Sequence, residues 1–490
     1  MHTAATTMSR RARSDTLICL DTGASGGGVE TRAADGETDR QLADLLGEDA
    51  AEGLARWRRT SGWTVSLPAA PWTSRGYTDA FVASLVLRPP GGDDLNLVAK
   101  VVPQDNRREP DAHRRAFDDA AAQVAPGAAE FTRRHLVGLV AQAGPVDTPA
   151  GRIIYFQHLA GGTALCRPLA DLERPGQAEQ LVDTCLAVAR AVAAEWNGSV
   201  RRTEQTVAAF LDQELRGPLS GTGSVDRWAA VAGLSGPGVR WIVTAEDPEP
   251  LPNPLPAAFG HTGRGDRKLD VLTARVHGDL HLGNILVVQG EQGVQPRTFR
   301  LIDLSTYRSV GPRARDQVQL LLSAVAWLWP DLSALQRQAL LTDLTHPHIP
   351  AHPRQDPLVA RLIAGVHDAT WSLVEPKGFG DAWLRQYPPA LQAAALRFTT
   401  FTSFSPELRW WFMRLACRAA GRWAALTGAR IGSERPRPLK NPFKSTLTEQ
   451  PPTVTSAPPA ARAPTRPVAL GGRLLGEVPR LRGPGAEGTG

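Results

Sequence analysis

Short runs rich in β-branched and aromatic residues occupy residues 63–67, 81–87, 95–102, 136–140 and 153–156. Each is brief and bounded by turn-forming residues, so together they predict a small sheet. One helix interrupts them over 110–124, opened by Pro110, whose fixed φ and missing N–H suit a first helical position. From residue 178 onward the period lengthens, and helices are expected over 179–196, 207–215, 318–329, 357–374, 391–401 and 411–426. In the last of these, Phe412, Leu415, Ala419, Trp423 and Leu426 recur at three- and four-residue steps. That spacing puts them on one buried stripe, which Gly428 ends. Sheet first and helices second predict an α+β fold with a small β-rich N-lobe and a larger helical C-lobe.

The flanks lack such periods. Residues 1–45 mix Ser, Thr, Gly and charge and read as a disordered N-terminal segment. The N-lobe then takes residues 46–160 and the helical C-lobe 161–433. Residues 434–490 shift to Pro, Ala and Arg, which predicts a disordered, extended tail and a place for a protein partner to bind. Residues 216–267 are rich in Gly and Pro and long for a connection. They read either as an ordered surface loop or as an insertion near a substrate cleft.

Composition narrows the class. A hydrophobic content of 42% supports a sizeable core. The longest apolar run, 320–329, is about half of the ~20 residues a membrane span needs, and it stops at Pro330. It reads as a core helix, and no membrane association is expected. Arg10, Arg11 and Arg13 are followed by Asp15 and Asp21 rather than by a long apolar run, a poor signal peptide, so a cytoplasmic protein is expected. The cysteines, Cys19, Cys166, Cys185 and Cys417, form no CxxC pair and suit a reducing compartment. The net charge is +6, but residues 435–490 hold nine Lys/Arg against three Glu, which is the whole excess. The remainder is formally neutral, so no nucleic-acid-binding face is expected.

The chemistry concentrates at residues 277–284, His-Gly-Asp-Leu-His-Leu-Gly-Asn. Asp279 and Asn284 are five apart, the Asp-to-Asn spacing of a phosphoryl-transfer loop. One carboxylate can face a substrate hydroxyl while the amide oxygen behind it reaches Mg²⁺. Asp303 lies nineteen residues past Asn284, after the apolar run Phe299, Leu301, Ile302, where it can hold the same metal on nucleotide phosphates. In this set His277 holds the loop by hydrogen bonding and His281 shapes the metal or substrate region. A rival reading takes His277, Asp279 and His281 as alternating metal ligands of a hydrolase. That centre needs further ligands, and residues 285–300 contain no His or Asp.

Upstream, Lys100 is the single cation in the apolar run 97–102. It is either an edge-strand gatekeeper or a phosphate-binding lysine, and the downstream loop favours the second. Its carboxylate partner is expected at the start of the next helix, where Glu109 is preferred over Asp111 for its longer reach. Gly76 lies in a turn before the strand at 81 and is the candidate phosphate-covering glycine. Gln157 and His158 end the sheet-rich part, where extended backbone can meet an adenine ring. Asp316 reads as a helix N-cap, or as an acid that braces the catalytic loop.

These residues resemble the phosphotransferase family of aminoglycoside phosphotransferases and choline or homoserine kinases, which share the protein-kinase-like fold. The resemblance is specific over about 277–325 and looser over about 62–175. It implies ATP- and Mg²⁺-dependent phosphorylation of a small-molecule hydroxyl. Asp279 is then the catalytic base, Asn284 and Asp303 the Mg²⁺ ligands, and Lys100 the phosphate contact. The chain departs from the family after Asp303, where Leu304-Ser305-Thr306 replaces an aromatic followed by an acid. No acidic cluster suited to an aminoglycoside is visible late in the chain. The alternatives are a nucleotide-binding pseudokinase, or a kinase directed at a protein, acting as a regulatory module.

Overall fold

The structure is a computed structural model and describes residues 31–439, except 70, 76–79, 107, 123–125, 161–165, 175, 220–222, 236–238, 248, 256–266, 291–292 and 429–435. Gly76 and nearly all of the Pro/Arg-rich tail, with its expected partner site, lie outside the described residues. Among the described residues no helix is long and apolar enough to cross a membrane.

The first part contains α1 (Thr31–Leu46), α2 (Glu48–Ser61), β1 (Thr64–Ser66), β2 (Thr73–Arg75), β3 (Phe81–Arg88), β4 (Leu95–Val102), α3 (Glu109–Ala121), α4 (Pro126–His135), β5 (Val146–Asp147) and β6 (Ile153–His158). The strands form one six-stranded sheet in the order β1-β3-β4-β6-β5, with β2 on β3. Alternation sets its faces. Leu97, Ala99 and Val101 of β4 join Ala83, Leu85, Ile154 and Phe156 in one core, and Lys100 turns to the opposite face. Helix α1 corrects the expected disorder of residues 1–45 over 31–45, because Leu42 and Leu46 are fully buried in that same core. Its first half is polar, so no sustained period marks it in the sequence. Residues 136–140, expected as a strand, form only the isolated bridges Leu136 to Leu301 and Leu139 to Gln157.

The second part contains β7 (Cys166–Pro168), α5 (Ala178–Ala191), β8 (Arg201–Thr206), α6 (Val207–Glu214), α7 (Ser224–Val231), β9 (Trp241–Val243), β10 (Leu251–Pro252), β11 (Lys268–Val276), β12 (Ile285–Gly290), β13 (Gly293–Val294), β14 (Arg300–Leu301), β15 (Arg308–Pro312), α8 (Ala314–Leu328), α9 (Ala334–Thr345), α10 (Pro357–Val374), α11 (Gly380–Phe398), α12 (Pro406–Thr427) and β16 (Arg437–Pro438). Local chemistry starts these helices. Asp356 accepts from the N–H groups of Leu358 and Val359 ahead of α10, Ser333 and Gln336 form a capping box on α9, and Ser405 caps α12. Their apolar faces make a second core around Leu320, Leu322, Leu362, Leu391, Phe412 and Trp423. The fold is therefore α+β with two main cores, one under the N-terminal sheet and one among the later helices, and a small cluster of Ala80, Val102, Ile153 and Tyr155.

The boundary of the expected tail shifts. Residues 437–438, assigned to the disordered tail, pair in parallel with β9, and Leu439 is buried. The stretch 216–267 is partly built: α7, β9 and β10 lie within it, and Asp247 is ion-paired with Arg414 and Arg418 of α12.

Candidate active site

Lys100 pairs with Val82 on β3 and Tyr155 on β6, so β4 is an inner strand and the edge-gatekeeper reading fails. Its ammonium is ion-paired with Glu109, the first residue of α3, and lies 3.4 Å from Asp303 Oδ2. Asp111, the other acid considered, is exposed beside Arg114. The Tyr155 hydroxyl donates to Glu109 and fixes it from the strand side. Burial opposes the Lys100 charge, but Asp303 and Glu109 outweigh it and hold the lysine above its ordinary pKa. Burial also opposes the Asp303 charge, and Lys100 with the Ser305 side chain overcomes it, so that carboxyl is lowered. Glu109 is shifted the other way, because burial and the nearby Asp303 exceed the help from Lys100.

Residues 277–284 form a loop between β11 and β12 that buried groups hold from below. Asp316, in the first turn of α8 and fully buried, accepts from the backbone N–H of His277 at 2.7 Å and of Gly278 at 2.8 Å. It is thus a brace for the loop and not the N-cap, a position that Arg313 occupies. Gln319, one turn further on, accepts from the Leu280 N–H at 3.1 Å. Gly278 has φ of +89°, and a Cβ there would lie 2.1 Å from the carbonyl oxygen of Thr306, so this position requires glycine.

The same loop is tied to the one carrying Asp303. His277 Nε2 lies 3.0 Å from the Ile302 carbonyl, the Thr306 hydroxyl donates to the His277 carbonyl at 3.3 Å, and the Ile302 N–H donates to the Asn284 carbonyl at 3.1 Å. With Nε2 on a carbonyl, His277 Nδ1 is left to accept from the Asp279 N–H at 3.4 Å. Among the described residues Asp303 is the one non-glycine with positive φ, at 61°. Aspartate tolerates this conformation better than most residues. The turn that follows presents its carboxylate to Lys100.

The donor set fits a hard divalent cation. Asn284 Nδ2 donates to the Asp279 carbonyl at 2.9 Å, which leaves the amide oxygen Oδ1 as the group it can offer. Asn284 and Asp303 then supply neutral and anionic oxygen, the donors magnesium prefers, and nucleotide phosphates and water would complete the shell. His281 Nε2 stands 3.6 Å from Asp279 Oδ2, while its Nδ1 accepts from the Gly283 N–H. Burial lowers the His281 pKa against the pull of Asp279 and Asp303, so the ring is neutral at pH 7.

The structure therefore brings Lys100, Glu109 and Asp303 into contact, and ties Asp279, His277, His281 and Asn284 to them through the backbone. Gln157 and His158 end β6. Gln157 pairs with Val98 on one edge and bridges Leu139 on the other, and the His158 N–H donates to the Gly138 carbonyl. The His158 N–H is thus engaged, and backbone outside the strand begins at Leu159.

Several site residues escaped the sequence reading. Arg397 of α11 lies 3.6 Å from Asp279 Oδ1. Arg315 donates from Nε to the Gly278 carbonyl at 2.7 Å and from Nη1 to Glu214 at 3.0 Å, and Arg308 pairs with Glu214 at 3.2 Å. His113 is buried one turn after Glu109, stacked on Phe117, with neither ring nitrogen bonded to protein. Burial, then Lys100, pushes it down to about 4. None of these stands in a short motif, so only the folded neighbourhood marks them. Tyr155 alone carried a signal, its position opposite Lys100 once two strands are paired.

No family model matches the chain, and no curated protein matches it. Three solved structures are similar over most of its length. A protein from Ralstonia eutropha JMP134, provisionally named an aminoglycoside phosphotransferase, is 15% identical, with 77% of this chain and 98% of that one covered and a TM-score of 0.35. A microcompartment-associated aminopropanol kinase is 14% identical, covering 77% and 99%, with a TM-score of 0.32. An amicoumacin kinase in complex with AMP-PNP, Ca²⁺ and Ami is 12% identical, covering 78% and 96%, with a TM-score of 0.33. Similarity this low assigns no role to any residue, and the site stands on its own geometry.

Proposed function

We propose that this chain is a kinase that transfers the γ-phosphoryl group of Mg²⁺-bound ATP to a hydroxyl of a small molecule. The single observation behind this reading is the Lys100 contact. A lysine from the inner strand of the sheet, held by Glu109 and Tyr155, meets Asp303, whose loop is hydrogen-bonded to the loop carrying Asp279 and Asn284.

In this reading Lys100 binds the α- and β-phosphates, and Glu109 and Tyr155 keep its ammonium aimed at them. Asn284 and Asp303 would hold the metal, which when bound neutralises phosphate charge and orients the γ-phosphoryl group. Asp279 positions the acceptor hydroxyl and takes its proton. The hydroxyl oxygen bonds to the γ-phosphorus as the bond to the β–γ bridging oxygen breaks, giving a phosphate ester and ADP. Asp316, His277 and Gly278 keep the Asp279 backbone fixed, so positioning and proton transfer together contribute roughly 10²–10⁴-fold.

A pseudokinase, the second reading, would need the lysine and the metal donors but not a partly exposed acid at Asp279. Mg²⁺-dependent ATP turnover with and without Asp279→Ala separates the two. The kinase reading expects turnover that drops at least about 100-fold in the variant. Tight nucleotide binding with equal turnover in both proteins would support the pseudokinase.

A further inference from the structure

The acceptor side of Asp279 is cationic. Arg397, Arg315 and Glu214 line one small cavity together with Gln319, Ala390 and Ala393. Glu214 is the only acid on that wall, and it is already paired with both Arg315 and Arg308. Arg397 is left over. Among the described residues its guanidinium donates no hydrogen bond, and the one carboxylate within 4 Å is Asp279, at 3.6 Å, with Glu214, Arg315 and Arg308 acting on it from further away. Arg397 and Asp279 are both partly exposed, with side chains 22% and 33% accessible. The cavity behind the arginine is small, so a ligand would meet the guanidinium from its solvent edge, beside Asp279. A planar fork of unengaged donors next to the base is built for an anion. It also opposes a cation, since an ammonium there would face Arg397, and the acid on the cavity wall, Glu214, is already paired with Arg315 and Arg308. As Asp279 takes up the hydroxyl proton it loses its charge, and Arg397 then has only the ligand to pair with.

We infer that the acceptor is an anionic alcohol, carrying a carboxylate or phosphate near the hydroxyl that is phosphorylated, and that Arg397 binds this anion. The inference rests on the kinase reading of the same site and names its substrate class. In the reaction the acceptor anion stays intact. Only the hydroxyl oxygen forms a new bond, to phosphorus, with its proton going to Asp279 and ADP leaving.

The test is a matched series on one sugar skeleton: the neutral hexose, the amino sugar, the uronate and the sugar monophosphate, each at saturating MgATP. The expected order of kcat/KM places the uronate or the monophosphate at least about 10-fold above the neutral sugar and the amino sugar last. The better of the two anions identifies which group is recognised. Arg397→Met should raise KM for the anionic acceptor about 10- to 100-fold with a smaller change in kcat, and Arg397→Lys should recover part of the loss. Preference for the amino sugar or the neutral sugar overturns the inference and leaves the kinase reading standing. So does a variant that lowers kcat equally for every acceptor without moving KM, since that pattern describes an arginine that only orients Asp279. If none of the four sugars is phosphorylated, calorimetric titration of them into the protein with Mg²⁺ and a non-hydrolysable ATP analogue decides the anion site, while Mg²⁺-dependent ATP turnover tests the kinase reading separately. Binding of an anionic sugar that Arg397→Met abolishes supports it; no such binding overturns it.

Discussion

Gly278 and His113 are the residues where local geometry has the most direct consequence. A methyl group on residue 278 would overlap the Thr306 carbonyl at 2.1 Å, and the backbone there has positive φ. Gly278→Ala must therefore push the loops of Asp279 and Asp303 apart, at a cost of about 2–4 kcal/mol in stability. The expected result is a lowered melting temperature together with lost turnover; a variant melting like the wild type would show the two loops are not in contact. His113 predicts a pH dependence. Its pKa falls from 6.5 to about 4 on folding, so the folded state disfavours the charged ring. The contribution is intact above about pH 6.5 and is lost as pH falls toward 4, amounting to roughly 3 kcal/mol. In the nucleotide-free protein, denaturant melts of His113→Phe should lose less stability between pH 6.5 and 4 than the wild type. Parallel curves would mean the ring is not buried neutral. At this scale Lys100, Glu109, Asp279, Asn284 and Asp303 could be chosen as candidates from the sequence, because each sits in a short motif or beside one. Arg397, Glu214, Arg308 and His113 were invisible, since they come from separate elements that only tertiary packing assembles.

Among the elements, α8 couples the helical core to the chemistry. Asp316 and Gln319 stand one turn apart on its buried face and accept from three backbone N–H groups of the loop 277–280. Asp316→Asn keeps one acceptor oxygen but turns an NH₂ toward a buried N–H donor, which costs about 1–3 kcal/mol. We expect kcat to fall at least about 10-fold, with the KM for ATP little changed, in steady-state assays; unaltered kcat would show that Asp279 is positioned without this brace. Element boundaries were legible where period and cap agreed, as at α10 behind Asp356 and Pro357. They were hidden where a rule was broken. Pro388 and Pro389 lie inside α11, so its first half did not read as helix, although Gln386 within it holds the backbone of Leu272 at both N–H and carbonyl. The polar first half of α1 concealed a helix in the same way. The strands β8, β11 and β15 went unnoticed because β8 is largely exposed and charged and β15 is only five residues long.

At the scale of the molecule, the sheet core and the helical core meet chemically at Lys100 and Asp303, one residue from each side of the site. A nucleotide bound there contacts both parts and stabilises the folded state in proportion to its affinity, by about 2.7 kcal/mol at a hundredfold excess over Kd. ATP should therefore raise the melting temperature, EDTA should remove most of that rise, and Asp303→Ala should lack the Mg²⁺-dependent part. An ATP-induced rise that is the same with and without Mg²⁺ would remove Asp303 from the metal site. The two-part α+β architecture was readable from the change of hydrophobic period near residue 178, whereas the closeness of its two ends at one lysine was not.

The account turns on whether Lys100, Asp279, Asn284 and Asp303 act as one phosphoryl-transfer site. The most direct measurement follows the label from γ-³²P-ATP with Mg²⁺ into a panel of small alcohols, for the wild type and for Asp279→Asn. The account predicts a labelled phosphate ester from the wild type and none above background from the variant, with both proteins binding MgATP equally. Labelled ester formed at the same rate by the variant, or no binding of MgATP by the wild type, would contradict it.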